Sequence, residues 1–163
     1  MIYLGFDPGK TGAMVALDEE GRLLQFSRFP LIAAGKKKEL HIYEMAAWVG
    51  ELDFDHGRMT RATIEKVHAM PGQGVTSMFS FGRSLGIIEG IIAGKGIPRT
   101  YAAPRTWQAT MLAGKPKGKD SKHSAALAAV ELWPELSKLM QVKANWGIAD
   151  AALIAEYGRR QWA

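Results

Sequence analysis

Three carboxylates sit where carboxylates are costly. Asp7 ends an alternating stretch, Ile2-Tyr3-Leu4-Gly5-Phe6-Asp7, that opens the sequence. Glu65 lies inside the short apolar run from Ala62 to Val67. Asp150 falls on the apolar side of the last amphipathic segment, with Leu153 and Ile154. None has an evident local cation, and Lys66, next to Glu65, points to the opposite face of a strand. Buried like charges repel, and they persist together only where something positive lies among them. Oxygen-only donors suit Mg²⁺ or Mn²⁺. Two such ions close together can activate a water and stabilise the leaving oxygen of a phosphodiester.

Each acid also has a plainer reading. Asp7-Pro8-Gly9 is ordinary turn chemistry at a strand end. Glu65 is equally served by a structural arginine. Asp150 suits the positive end of a helix dipole. Gly5 shares the face of Asp7 and leaves it bare, which suggests room for a phosphate or a metal ion beside that acid.

The elements that must position these groups follow from periodicity. Ile2 to Asp7 alternates with the two-residue period of a strand. Ala13 to Leu17 and Arg22 to Phe29 continue as a meander around the turn Asp18-Gly21, and Pro30 ends it. Ala33 to Glu39, with Gly35 and the run Lys36-Lys37-Lys38, reads as a mobile loop whose lysines form a solvated charge run, with a phosphate contact as the less favoured alternative. Leu40 to Leu52 is helical, with Ile42, Met45, Ala46 and Val49 on one face. Asp53 to Arg61 is a polar loop, and Pro71-Gly72-Gln73-Gly74 a tight connector.

Val75 to Ala93 is the longest apolar helix. Its seam is Met78, Phe81, Leu85, Ile88 and Ile92, widened by Ile87 and Ile91. Gly82, Gly86 and Gly90 stay within about 80° of one another on a helix. Each glycine weakens a helix, so the stripe suggests a close approach, either to the sheet or to a second helix in a homodimer.

Ile97 to Tyr101 is a strand, and Pro104 opens a helix through Leu112. Gly114 to Lys119 is a basic loop whose spacing does not match a phosphate-binding loop. Asp120 or Ser121 caps a helix to Trp133, and Pro134 ends it. Trp146 to Arg160 is the last helix, with Asn145 as cap and Gly158 as stop.

The whole is 163 residues, 47% hydrophobic and 23% charged, which suits one globular domain spanning 1–163. No apolar run is long enough for a bilayer, and the absence of cysteine removes disulfides and thiolate metal sites. A cytoplasmic location in a bacterial or phage-infected cell is expected. A net charge of +5 and a pI near 9.5 favour a polyanionic partner.

Three segments, IYLGFDPGKTGA, ATIEKVHAMPGQGVTSMFSFGRSLGIIEGI and GIADAALIAEYG, resemble in order the RuvC-type Holliday junction resolvases, phage-type members included, of the ribonuclease H-like superfamily. The resemblance implies an α/β fold: a five-stranded mixed sheet, three antiparallel strands then parallel ones, flanked by helices. It implies a homodimer, paired through the Val75–Ala93 helix, that resolves four-way junctions by symmetric nicks leaving 5′-phosphate and 3′-hydroxyl ends. Branched DNA is the partner and Mg²⁺, or Mn²⁺ in its place, the cofactor, two ions to a site. Asp7, Glu65 and Asp150 would be the metal-binding, catalytic acids. Lys122, or Lys119, would be a cation at the transition state.

His68, Gln73, Ser77, Phe79, Lys115, Lys117, Lys119 and Lys122 would meet DNA, although core packing is the plainer role for Phe79. The family generally has a fourth ligand three or four residues before the last aspartate. Here those positions are Gly147 and Trp146, and Asn145 is a poor neutral substitute. A junction-binding protein without catalysis is therefore the alternative. An actin-like or sugar-kinase ATPase also carries an Asp-Gly-Thr strand, but needs two such domains and a second phosphate loop.

Overall fold

The computed structural model describes residues 1–9, 11–54, 59–66, 72, 74–116 and 121–162, except the side chains of Asp53, Phe54 and Ser121. His68, Gln73, Lys117 and Lys119 lie outside the described residues, as does Asp120. The central sheet contains β1 (Ile2–Asp7), β2 (Ala13–Leu17), β3 (Leu23–Arg28), β6 (Thr60–Glu65) and β7 (Arg99–Ala102), in the order β3-β2-β1-β6-β7. β3, β2 and β1 are antiparallel; β1, β6 and β7 are parallel. The expected ribonuclease H-like α/β sheet is therefore present.

Alternation along β1 divides the core. Ile2, Leu4 and Phe6 face α1 (Ile42–Phe54) and α2 (Val75–Gly94), and pack with Met45, Val49, Ile88 and Ile92. Tyr3 shares the opposite layer with α3 (Pro104–Met111), α4 (Ser121–Leu132) and α6 (Trp146–Trp162). Asp7 has the parity of Tyr3 and Gly5, so it projects toward α6. A short helix, α5 (Ser137–Met140), joins α4 to α6 between two 3₁₀ turns.

Five sequence expectations need correction. Residues 33–39 are not a loop. They belong to a hairpin of β4 (Leu31–Ala34) and β5 (Lys37–Leu40), a second, two-stranded sheet. Gly35 takes the left-handed conformation its turn requires, with φ of 59°.

Gly5 does not make room for a ligand. A Cβ there would overlap the carbonyl oxygen of Ala151 and lie 2.5 Å from the Ala155 nitrogen. The bare face is where the backbone of α6 rests on the sheet. Gly158 is not a helix stop, because α6 runs through it to Trp162. A Cβ at Gly158 would overlap the hydroxyl of Thr63 on β6, so this glycine also permits close approach. Finally, a Cβ at Gly82, Gly86 or Gly90 would meet nothing within 4 Å. The α2 stripe does not approach the sheet. Ile42 is likewise exposed at the start of α1, where His41 Nδ1 accepts the Glu44 N–H at 3.2 Å.

Among the described residues, no helix is long and apolar enough to cross a membrane.

Candidate active site

Three elements bring three acids to one cavity. β1 and β6 are parallel neighbours, with Phe6 opposite Ile64, so their C-terminal ends place Asp7 and Glu65 side by side on the sheet edge. α6 lies across β1, and Asp150 falls in its second turn. Asp7, Glu65 and Asp150 all line a cavity of about 340 Å³, together with Gly9, Phe81, Trp107 and Lys122. That volume is in the range of small-ligand sites, roughly 300–1,000 Å³.

The electrostatics are those of crowded, sheltered acids. Burial, then the charges of Asp150 and Glu65, hold the Asp7 carboxyl well above the usual range, against the pull of Lys122. Burial pushes Asp150 up to about 6, with Lys122 opposing and Glu65 adding to the rise. Burial also raises Glu65, while the Trp107 N–H and Lys122 favour its charged form. The Lys122 ammonium stands 3.6 Å from Asp150 Oδ2. Among the described residues lining the cavity it is the only cation.

The signs give a testable pH dependence. These carboxyls bind protons more tightly in the folded chain than in the unfolded one. Between about pH 4 and about pH 6 the native state therefore holds more protons, and the metal-free chain loses stability as pH rises through that window. Asp150→Asn removes one of the buried charges. It is expected to raise the melting temperature in EDTA at neutral pH by about 2–4 °C, near 1 kcal/mol for a chain of this size. Near pH 4 the rise should be much smaller. An equal shift at both pH values, measured by thermal denaturation, would show that ionisation plays no part.

Glu65 has a partner, though not the cation expected for it. Trp107 Nε1 donates to Glu65 Oε1 at 2.9 Å. Trp107 is buried on α3, which Pro104 opens at its first turn. The sequence did contain this signal: a buried indole N–H needs an acceptor, and Trp107 stands in the first turn and a half of a helix that follows β7. Searching for a positive charge alone passes over it.

The loop after Asp7 is tied down from the other side. The Gly9 N–H donates to Ser84 Oγ of α2 at 3.0 Å, and Phe81 lies one turn earlier on the same helix. Gly147 also faces this loop. A Cβ there would be 3.4 Å from Asp7 Oδ2 and 2.8 Å from the Thr11 carbonyl oxygen. Position 147, one of the two to which the sequence resemblance would assign a fourth ligand, is thus beside Asp7, but it carries no donor, and the Thr11 backbone crowds it. Asn145 is not among the residues lining the acidic cavity, and its Nδ2 donates to the Leu139 carbonyl at 3.1 Å.

The other candidates are dispersed. Lys115 is paired with Glu131 and is not among the residues lining the acidic cavity. Ser77 is exposed in the first turn of α2. Phe79 is 74% exposed, so core packing is not its role; the helix turns it outward.

Among the described residues, no group of three His, Cys, Asp or Glu side chains could hold a metal ion as it stands. The donor chemistry nonetheless fits a hard divalent cation: three sheltered carboxylates share one cavity, and an ammonium partly offsets their charge.

The fold is also that of solved RuvC structures. Thermus thermophilus RuvC in complex with a Holliday junction substrate superposes with a TM-score of 0.62 and 18% identity, over 95% of this chain and 90% of that one. A further Thermus thermophilus RuvC structure gives 0.61 and 18%, over 99% and 97%. No protein-family profile matches the chain, and no curated protein matches its sequence.

Proposed function

We propose that this chain is a divalent-cation-dependent endonuclease that nicks branched DNA, four-way junctions above all, as a single domain over residues 1–163. The observation that carries this reading is the meeting of Asp7, Glu65 and Asp150 in one cavity, on a fold shared with RuvC. Those three carboxylates would hold the cation. When bound, it would supply positive charge to the phosphodiester and acidify a nearby water. With three carboxylates and no side chain at Gly147, the donor set suits one well-held Mg²⁺ or Mn²⁺ better than the two ions expected from the resemblance.

The chain's own groups divide the remaining work. Trp107 fixes the Glu65 carboxylate by its N–H. Lys122, 65% exposed at the cavity mouth, can leave Asp150 and meet the developing charge on the scissile phosphate. α6 keeps Asp150 in register with β1. A second copy would pair along the exposed glycine stripe of α2; a monomer at micromolar concentration in sedimentation would refute that pairing.

Nicking of labelled four-way, flap and linear duplexes tests the reading, with Mg²⁺ or Mn²⁺ and with EDTA. Nicks that need the metal and favour the four-way substrate support it. No cleavage with either metal, but tight junction binding, would establish the second reading, a junction-binding protein without catalysis. The crowded, donorless position at Gly147 favours that alternative.

Trp107→Phe keeps an aromatic ring and removes the N–H together with the pyrrole half of the indole. It is expected to slow nicking by about tenfold, the range seen when the hydrogen-bond partner of a metal ligand is lost. The Mg²⁺ concentration for half-maximal rate should rise in parallel, while the void left by the smaller ring lowers the melting temperature by a few degrees, about 2–4 °C per kcal/mol. A slower rate with no change in Mg²⁺ requirement would assign Trp107 to packing alone.

A further inference from the structure

The acidic cavity is poorly suited to gripping a polyanion by itself. Three carboxylates face one described cation there, so most of the affinity for DNA must come from elsewhere. A second groove lies one wall away. Ser84 lines it, and the Ser84 hydroxyl takes the N–H of Gly9, which lines the acidic cavity.

This groove runs between the β4–β5 hairpin and the N-terminal half of α2, with a volume of about 260 Å³. Lys37, Lys38 and Arg83 are among the residues that line it, with a single carboxylate, Glu39. On β5 the Lys37 side chain shares the face of Glu39, which Arg83 meets, and Lys38 projects from the other face at the groove's rim. Phe79 lines it as well, although it is largely exposed. The hairpin holds its place through two contacts. The His41 N–H donates to the Pro30 carbonyl at 2.8 Å across its base. Arg83 donates to Glu39 at 2.7 Å from α2. That ion pair is exposed and therefore weak, so a phosphate can displace Glu39 from the guanidinium.

Lysines and an arginine beside an outward-facing aromatic ring are the chemistry of a single-strand site. Cations follow the phosphates, and the ring stacks on a base. The geometry points to this groove as a second nucleic-acid subsite. It would take an unpaired segment of the strand whose phosphate lies in the acidic cavity, with Lys37, Lys38 and Arg83 on the backbone and Phe79 on a base. An acidic protein would use the cations but would have little use for the exposed ring.

The inference rests on the nuclease reading for its substrate, but the two can fail separately. The test is fluorescence anisotropy of labelled oligothymidylate, an abasic strand of equal length, and a four-way junction, in EDTA over a salt series. Wild type is compared with Lys37→Ala/Lys38→Ala and with Phe79→Ala; all three side chains are exposed, so the variants should fold, as circular dichroism will check.

The double variant is expected to flatten the log–log salt slope for single strands by about 1.4, two contacts at about 0.7 each. Phe79→Ala should weaken oligothymidylate at least about fivefold, the low end for one lost stack, and leave the abasic strand unaffected. On junctions, the lysine variant should raise KM by more than it lowers kcat.

A wild type that nicks junctions, with unchanged salt slope and KM in the double variant, would overturn the groove and spare the nuclease. Binding that depends on the groove without any nicking would spare the groove and overturn the nuclease. Equal loss of oligothymidylate and abasic strand in Phe79→Ala, or equal competition by polyglutamate, would overturn the assignment to a strand with exposed bases. Failure of wild type to bind any nucleic acid would overturn both.

Discussion

Asp7→Asn is expected to lower the rate of metal-dependent nicking by roughly 10³-fold or more, the loss that follows when several kcal/mol of charge stabilisation disappear. The substitution keeps the volume and planar shape of the side chain but removes its charge and turns one acceptor oxygen into an NH₂ donor. Burial and the charges of both neighbouring acids raise the Asp7 carboxyl above its usual range. In EDTA the same change relieves repulsion, so the variant should melt slightly higher than wild type and bind four-way DNA at least as well. Activity and stability thus move in opposite directions, which separates a chemical role from a folding defect. Single-turnover nicking at saturating enzyme, with melting curves beside it, makes the comparison. Full activity in the variant would remove Asp7 from the chemistry, whatever its place in the cavity.

The acids were legible in the sequence because each broke a local rule. A carboxylate on an apolar strand or helix face needs a compensating partner, and that conflict is visible without coordinates. The meander and parallel strands were legible too, since alternation in Ile2–Asp7 and Ala13–Leu17 is a property of adjacent residues. What the sequence concealed was what fills the space around an element. Gly5 announces a missing side chain, but not that the Ala151 carbonyl occupies the gap. Gly158 looks like a helix stop until Thr63 is seen against it. Phe79 shares the apolar character of α2, and helical period alone cannot say that its side of the helix borders an open groove and not the core.

The hairpin at 31–40 was missed for a related reason. Its cross-strand pairs, such as Ala33 with Lys38 and Ile32 with Glu39, mix apolar and charged residues. No buried face imposes an alternation, so the lysines read as a solvated loop. Trp107 was passed over because a neutral donor was not sought for Glu65. The hairpin's pairs are local, whereas α6 at Gly5 and Trp107 at Glu65 are contacts between distant segments. Both of these bear directly on the site, and the hairpin borders Phe79.

Gly5→Val should therefore be severely damaging to the fold. The α6 backbone has no slack at this point, because the Ala151 carbonyl and the Ala155 nitrogen both lie inside the radius of an added Cβ. Overpacking usually costs about 1–3 kcal/mol, and a clash with two backbone groups belongs at the upper end or beyond. At about 2–4 °C per kcal/mol for a chain of this length, the melting temperature should fall by about 10 °C. Gly5→Ala should show the same effect in weaker form. The consequence extends to the site, since the helix displaced from β1 is the one that carries Asp150. Below its melting temperature, Gly5→Ala should need more Mg²⁺ for half-maximal nicking, although position 5 touches no substrate. If Gly5→Ala melts with wild type, α6 does not rest on β1 as described. The convergence of Asp150 with Asp7 would then lose its structural basis.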